Sequence, residues 1–77
     1  MARAERGRNE VTPQDLGRRV TFQFELPNGF ISEVVGVFER WDREAETYFV
    51  RKKDGTEVRV PARGVRHGRL IPDRPPA

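Results

Sequence analysis

Cysteine is absent from the sequence, which excludes disulfides and thiolate metal ligands and suits a reducing cytoplasm. There is one histidine, His67, and one serine, Ser32, so nucleophilic catalysis of the Ser-His-Asp kind would have to use both. No apolar run approaches the ~20 residues that a membrane-spanning helix needs. The opening "MARAERGRNE" lacks the apolar stretch of a secretion signal, and the expectation is a soluble, cytoplasmic protein. With 77 residues there is room for one domain, and a domain this small has little apolar material to spend on an internal cavity. Hydrophobic and charged residues each make up 35%, a balance that predicts a folded middle with loose ends.

The net charge of +3 is unevenly spread. Residues 1–10 carry three Arg against two Glu, residues 11–50 four Arg against seven acids, and residues 51–77 eight bases against three acids. A basic C-terminal third therefore shares a small domain with an acidic middle, which weakens long-range attraction for a polyanion.

Residues 1–10 show no periodicity and read as a disordered basic arm. In "VTPQDL", Thr12 caps a helical turn with Pro13 at its first position and Asp15 near its positive end, and Gly17 ends it. "RRVTFQFEL" then alternates: Val20, Phe22, Phe24 and Leu26 share one face, and Arg19, Thr21, Gln23 and Glu25 the other. Pro27, Asn28 and Gly29 suit a three-residue hairpin loop, which pairs Leu26 with Phe30, Phe24 with Ser32, Phe22 with Val34 and Val20 with Gly36. Phe30, Val34 and Phe38 then join the inner face, while Val35 and Val37 point out. Gly36 inside a strand predicts a bend or a close backbone approach. "RWDREAE" reads as the next connection.

"TYFVRKKDGTEVRVP" reads as a second hairpin. A three-residue Lys53-Asp54-Gly55 loop pairs Lys52 with Thr56, Val50 with Val58 and Tyr48 with Val60, giving a single apolar face. A two-residue Asp54-Gly55 turn would split the apolar residues between both faces. The preferred register sets Arg51 opposite Glu57 and Arg59 beside an outward Phe49. "VRHGRLI" gives a last strand, and residues 72–77, "PDRPPA", a proline-rich linker or tail. Five short strands over residues 11–71 predict an all-β fold: a small SH3-like barrel with a short N-terminal helical turn and disordered ends.

Chemistry is scarce. The register turns Ser32 inward, away from a role as nucleophile, and His67 between Arg66 and Arg69 reads as a surface imidazole rather than a ligand or base. Glu44 and Glu46 lie in a polar connection and read as solvated surface. Trp41 is expected in the core rather than as a stacking platform. Phe49 is expected to be exposed, with Val35 and Val37 forming an outward apolar patch that speaks for a dry protein contact.

"DLGRRVTFQFELPNG", "SEVVGVFERWD" and "VRKKDGTEVRVPARGV", followed by a proline-rich exit, resemble the SH3-like domain at the N-terminus of some actinobacterial GNAT-type N-acetyltransferases. The resemblance covers roughly residues 12–76. It implies a non-catalytic accessory barrel joined by a linker such as "PDRPPA" to a catalytic domain that binds acetyl-CoA, itself outside these residues. The family's pyrophosphate loop, Q/R-x-x-G-x-G/A, has its one near match in "QDLGRR", which has Gln14 and Gly17 but Arg19 where Gly or Ala is needed. No catalytic, cofactor or metal residue is carried over to this segment. Two functional expectations follow. The first is an interaction module that contacts its own catalytic domain or a protein partner through Val35, Val37 and Phe49. The alternative is a stand-alone basic barrel that binds nucleic acid, with Arg51, Lys52, Lys53, Arg59, Arg63, Arg66 and Arg69 on phosphates and Phe49 stacking.

Overall fold

A computed structural model describes residues 8–72. Six strands form one sheet: β1 (Arg8–Asn9), β2 (Arg19–Glu25), β3 (Ile31–Asp42), β4 (Thr47–Arg51), β5 (Glu57–Pro61) and β6 (Val65–Leu70). Their order across the sheet is β1-β6-β2-β3-β4-β5, with β1 parallel to β6 and every other pair antiparallel. Two 3-10 turns, Pro13–Asp15 and Ala62–Gly64, complete the fold, and no α-helix occurs among the described residues. The fold is therefore all-β and mainly antiparallel, with five principal strands. Strand pairing does not close it into a barrel, because β1 and β5 remain edges of the sheet. The sheet nevertheless coils around its core, since β2 and β5 approach one another although β3 and β4 lie between them.

Alternation builds the inner face. Val20, Phe22 and Phe24 from β2, Val34 and Phe38 from β3, Tyr48 and Val50 from β4 and Val60 from β5 are buried together, and Val11 closes the cluster from the N-terminal side. Both hairpins adopt the expected registers, with Phe22 opposite Val34 and Val20 opposite Gly36 in the first, and Val50 opposite Val58 and Tyr48 opposite Val60 in the second. Gly29 and Gly55 take the left-handed conformation that three-residue loops require, at φ 92° and 93°. The turn at Pro13 is capped as expected: Thr12 Oγ1 accepts from Gln14 N–H and Asp15 Oδ2 accepts from Thr12 N–H.

Three expectations are corrected. Phe30 pairs with Leu26 as foreseen but is 69% exposed rather than inside. The pairing of β6 with β2 stops at Phe24 and Val65, so among the described residues no strand flanks the tip of the first hairpin and Phe30 stays largely in solvent. The arm over residues 1–10 was expected to lack structure, yet Arg8–Asn9 pairs with His67 and Gly68, and Glu10 N–H donates to Gly68 O. Residues 1–7, like residues 73–77 of the expected linker, lie outside the described residues. Finally, the segment read as a connection from Arg40 onward is still strand as far as Asp42.

That extension depends on a bulge. Phe38 faces Val50, but the next pair is Arg40 with Phe49, so Glu39 is an extra residue on β3. Glu39 and Arg40 both stay exposed, and Trp41 returns inward opposite Tyr48, with ring centroids 4.9 Å apart. Trp41 thus packs half-buried against the core, as expected. The N-terminal strand is held by a polar latch: Tyr48 Oη donates to Val11 O at 3.1 Å and accepts from Asn9 Nδ2 at 3.1 Å, while Asn9 Oδ1 accepts from Val11 N–H.

Candidate functional site

The inner face is filled by core side chains, so any site belongs to the outer face. There, residues lie in rows across the strands. Arg69, Thr21 and Val35 form one row, Arg19, Val37, Arg51 and Glu57 the next, and Arg40, Phe49 and Arg59 a third beyond the bulge. Val35 and Val37 are 54% and 40% exposed, as the alternation of β3 predicts. They floor a groove of about 680 Å³ with Gly36 between them; Arg19 lies on one side and Lys52 and Lys53, in the loop after β4, line it from the other.

Arg51 and Glu39 also line this groove, but they are occupied with each other. Arg51 Nη2 lies 2.7 Å from Glu39 Oε2, Nε donates to the same oxygen at 2.8 Å, and Nη1 donates to Gly55 O at 2.6 Å. A bidentate guanidinium–carboxylate pair that also ties down a loop carbonyl is structural: it fastens the second hairpin to β3. Among the described residues, no ion pair engages Arg19, Lys52 or Lys53. The acid nearest in sequence, Asp54, is committed to its own loop. Hydrogen bonds from the Thr56 backbone N–H and side chain, followed by the charge of Lys52, hold its carboxyl below the ordinary 3.8.

Phe49 faces outward beside Arg59 as expected, but it is not exposed, and this corrects its assignment to a docking or stacking surface. It retains only 6% exposure because the Arg40 guanidinium lies 3.9 Å from its ring centroid and that of Arg59 lies at 5.8 Å. Nothing in the sequence marks Arg40 as the partner of Phe49, because "RWDREAE" has the polar character of a connection. Without the bulge at Glu39, Arg40 would not come opposite Phe49.

The cations proposed for a polyanion are scattered and partly neutralised. Arg51 pairs with Glu39 and stands opposite Glu57, Arg63 lies 3.3 Å from Glu46, Arg66 lies 3.2 Å from Glu25, and Arg59 flanks Phe49. Lys52, Lys53 and Arg69 have no acidic partner among the described residues, but the two lysines lie at a hairpin tip and Arg69 on β6. Ser32 is opposite Phe24 on the inner side, whereas His67 is opposite the outward Gln23, so the sheet separates them. Glu44 is exposed in the β3–β4 turn, and Glu46 meets Arg63. Gln14 belongs to a single 3-10 turn that runs past Gly17 into β2, unlike a helix start that holds a pyrophosphate. Among the described residues no group of three or more His, Asp or Glu side chains is placed to hold a metal ion, and no helix is long and apolar enough to cross a membrane.

No family model, no curated protein and no solved structure matches the chain. The groove over β3 is thus interpreted from its own chemistry: a small apolar floor, an internal ion pair, and three cations without partners among the described residues.

Proposed function

We propose that this chain is a non-catalytic SH3-like interaction module, the N-terminal domain of a GNAT-type acetyltransferase, which docks onto a protein surface through Val35 and Val37. The catalytic part, with its acetyl-CoA site, would lie beyond the proline-rich exit. The observation that carries this reading is the pair of exposed valines side by side in a groove. The sequence patterning gives them no fold role, and burying both against a partner would contribute on the order of 1–2 kcal/mol each. The coiled five-strand sheet supports the SH3-like part of the reading, and the resemblance of "DLGRRVTFQFELPNG" and "VRKKDGTEVRVPARGV" supports the family.

The experiment has two parts. An antibody raised against this segment, used on the source cells, should detect a product several times larger than 8.9 kDa. The V35E/V37E double variant should remain folded, with a thermal midpoint within a few degrees of the parent, yet lose docking to the remainder of that product expressed separately. Docking that survives the double variant refutes the role of the groove.

The alternative, a stand-alone basic barrel binding nucleic acid, draws support from Lys52, Lys53 and Arg69. A native band at 8.9 kDa would favour it, and the absence of salt-dependent oligonucleotide binding would dismiss it.

A further inference from the structure

We infer that the groove over β3 accepts an acidic, aliphatic stretch of a partner protein, with small branched side chains seated on Val35 and Val37 and carboxylates beside Arg19, Lys52 and Lys53. This rests on the reading of the chain as a docking module and names the chemistry of what docks.

Charge and shape together select this occupant. Glu39 lies inside the groove and would oppose an incoming carboxylate, but two donors of Arg51 already occupy it. With that pair set aside, the lining presents three positive charges and no negative one. The floor between those charges, Val35, Gly36 and Val37, is apolar and has no polar side chain to pair with a base edge. A volume of about 680 Å³ falls within the ~300–1,000 Å³ of ligand clefts, enough for the side chains of a short segment.

Other occupants fit less well. A nucleic acid would use the cations but would set phosphates or sugars against two valines, and the one outward aromatic ring, Phe49, is already covered by Arg40. A second copy of this chain meeting through the same groove would set like charges face to face, as a two-fold interface requires. An acidic, aliphatic segment satisfies floor and rim at once.

The test is selection from a random dodecapeptide phage library on the immobilised full chain, followed by synthesis of the enriched peptides. The expected winners have Asp or Glu flanking Val, Ile or Leu. They should shift the amide resonances of Val35, Val37 and Lys53, and their affinity should fall at least tenfold in K52E/K53E and again between 50 and 300 mM salt. Both lysines are exposed loop residues, so this variant keeps the fold. The inference is overturned if nothing is enriched, if the winners are basic or proline-rich, if their binding is unchanged in K52E/K53E, or if a poly-uridine oligonucleotide shifts the same amides more strongly. Failure here, with docking still lost in V35E/V37E, removes the acidic partner and leaves the module reading standing. Acidic peptides that bind while docking survives V35E/V37E remove the module reading instead.

Discussion

Replacing Gly36 by alanine is the substitution that most directly examines how β3 and β4 meet beneath the groove. A Cβ built at Gly36 falls on the Arg51 carbonyl oxygen, 2.8 Å from the carbonyl carbon and 3.0 Å from Val50 Cγ1, where an ordinary contact is 3.4–4 Å. Two of these three neighbours are backbone, so no side-chain rotation relieves the clash. Arg51 pairs with Val37 and its side chain is fastened to Glu39 and Gly55, so displacing its carbonyl disturbs the β3–β4 ladder and the second hairpin together. Overpacking of this kind costs about 1–3 kcal/mol. Alanine recovers roughly 0.5–1 kcal/mol of chain entropy relative to glycine, which does not offset the upper part of that range.

A net destabilisation of about 1–2 kcal/mol corresponds to a fall in thermal midpoint of roughly 5–15 °C for a domain of this size. Thermal and urea unfolding of the full chain, followed by circular dichroism, measure it. Amide spectra should show the largest changes at Val37, Val50 and Arg51. A G36A chain as stable as the parent, or more stable, would refute the close approach of β4 to Gly36. It would also withdraw the placement of Lys52 and Lys53 at the groove.

The remaining predictions concern the latch, the covered ring and the second loop. Tyr48→Phe removes the donor to Val11 O and leaves a buried carbonyl without its partner, so it should cost about 1–2 kcal/mol and speed amide exchange at Glu10, read by hydrogen exchange. Arg40→Ala should uncover Phe49 and cost about 0.5–1 kcal/mol, with an increase in binding of a hydrophobic dye as an independent readout. The carboxyl of Asp54 sits below its ordinary 3.8, so its contribution to stability is present above that pH and is lost as pH falls through the lowered value. A carbon-13 titration should place its midpoint below 3.8, and Asp54→Ala should lower the melting temperature at pH 7 but not in strong acid.

Much of this fold was legible because strand alternation and loop length are local. Residues 20–26 and 48–60 each carry a two-residue period that admits one inner face, and "PNG" and "KDG" fix the loops that align the partners. From those registers Val35 and Val37 follow as outward residues without any knowledge of the core. What stayed hidden depends on contacts between distant segments. Phe30 has the right partner and the wrong surroundings, because its burial needs a strand that β6 does not extend far enough to supply. Asn9 looks like part of a featureless arm until Tyr48, 39 residues away, accepts a hydrogen bond from its side-chain amide.

The bulge at Glu39 accounts for most of the distance between the sequence reading and the site. Strict alternation along "VFERWD" would turn Arg40 inward and Trp41 outward. One extra residue resets the phase. It sends Trp41 back to Tyr48 and places Arg40 over Phe49, while Glu39, outward in either phase, holds Arg51. The first consequence extends the core and the second removes the aromatic ring from the surface, while the Glu39–Arg51 pair cancels the groove's own acid. In a strand without the bulge Glu39 would stand opposite Phe49, and the ring would lose the Arg40 guanidinium that covers it. With the bulge, the groove keeps two exposed valines and the cations Arg19, Lys52 and Lys53 without partners among the described residues, the features on which the proposal of an acidic protein segment rests.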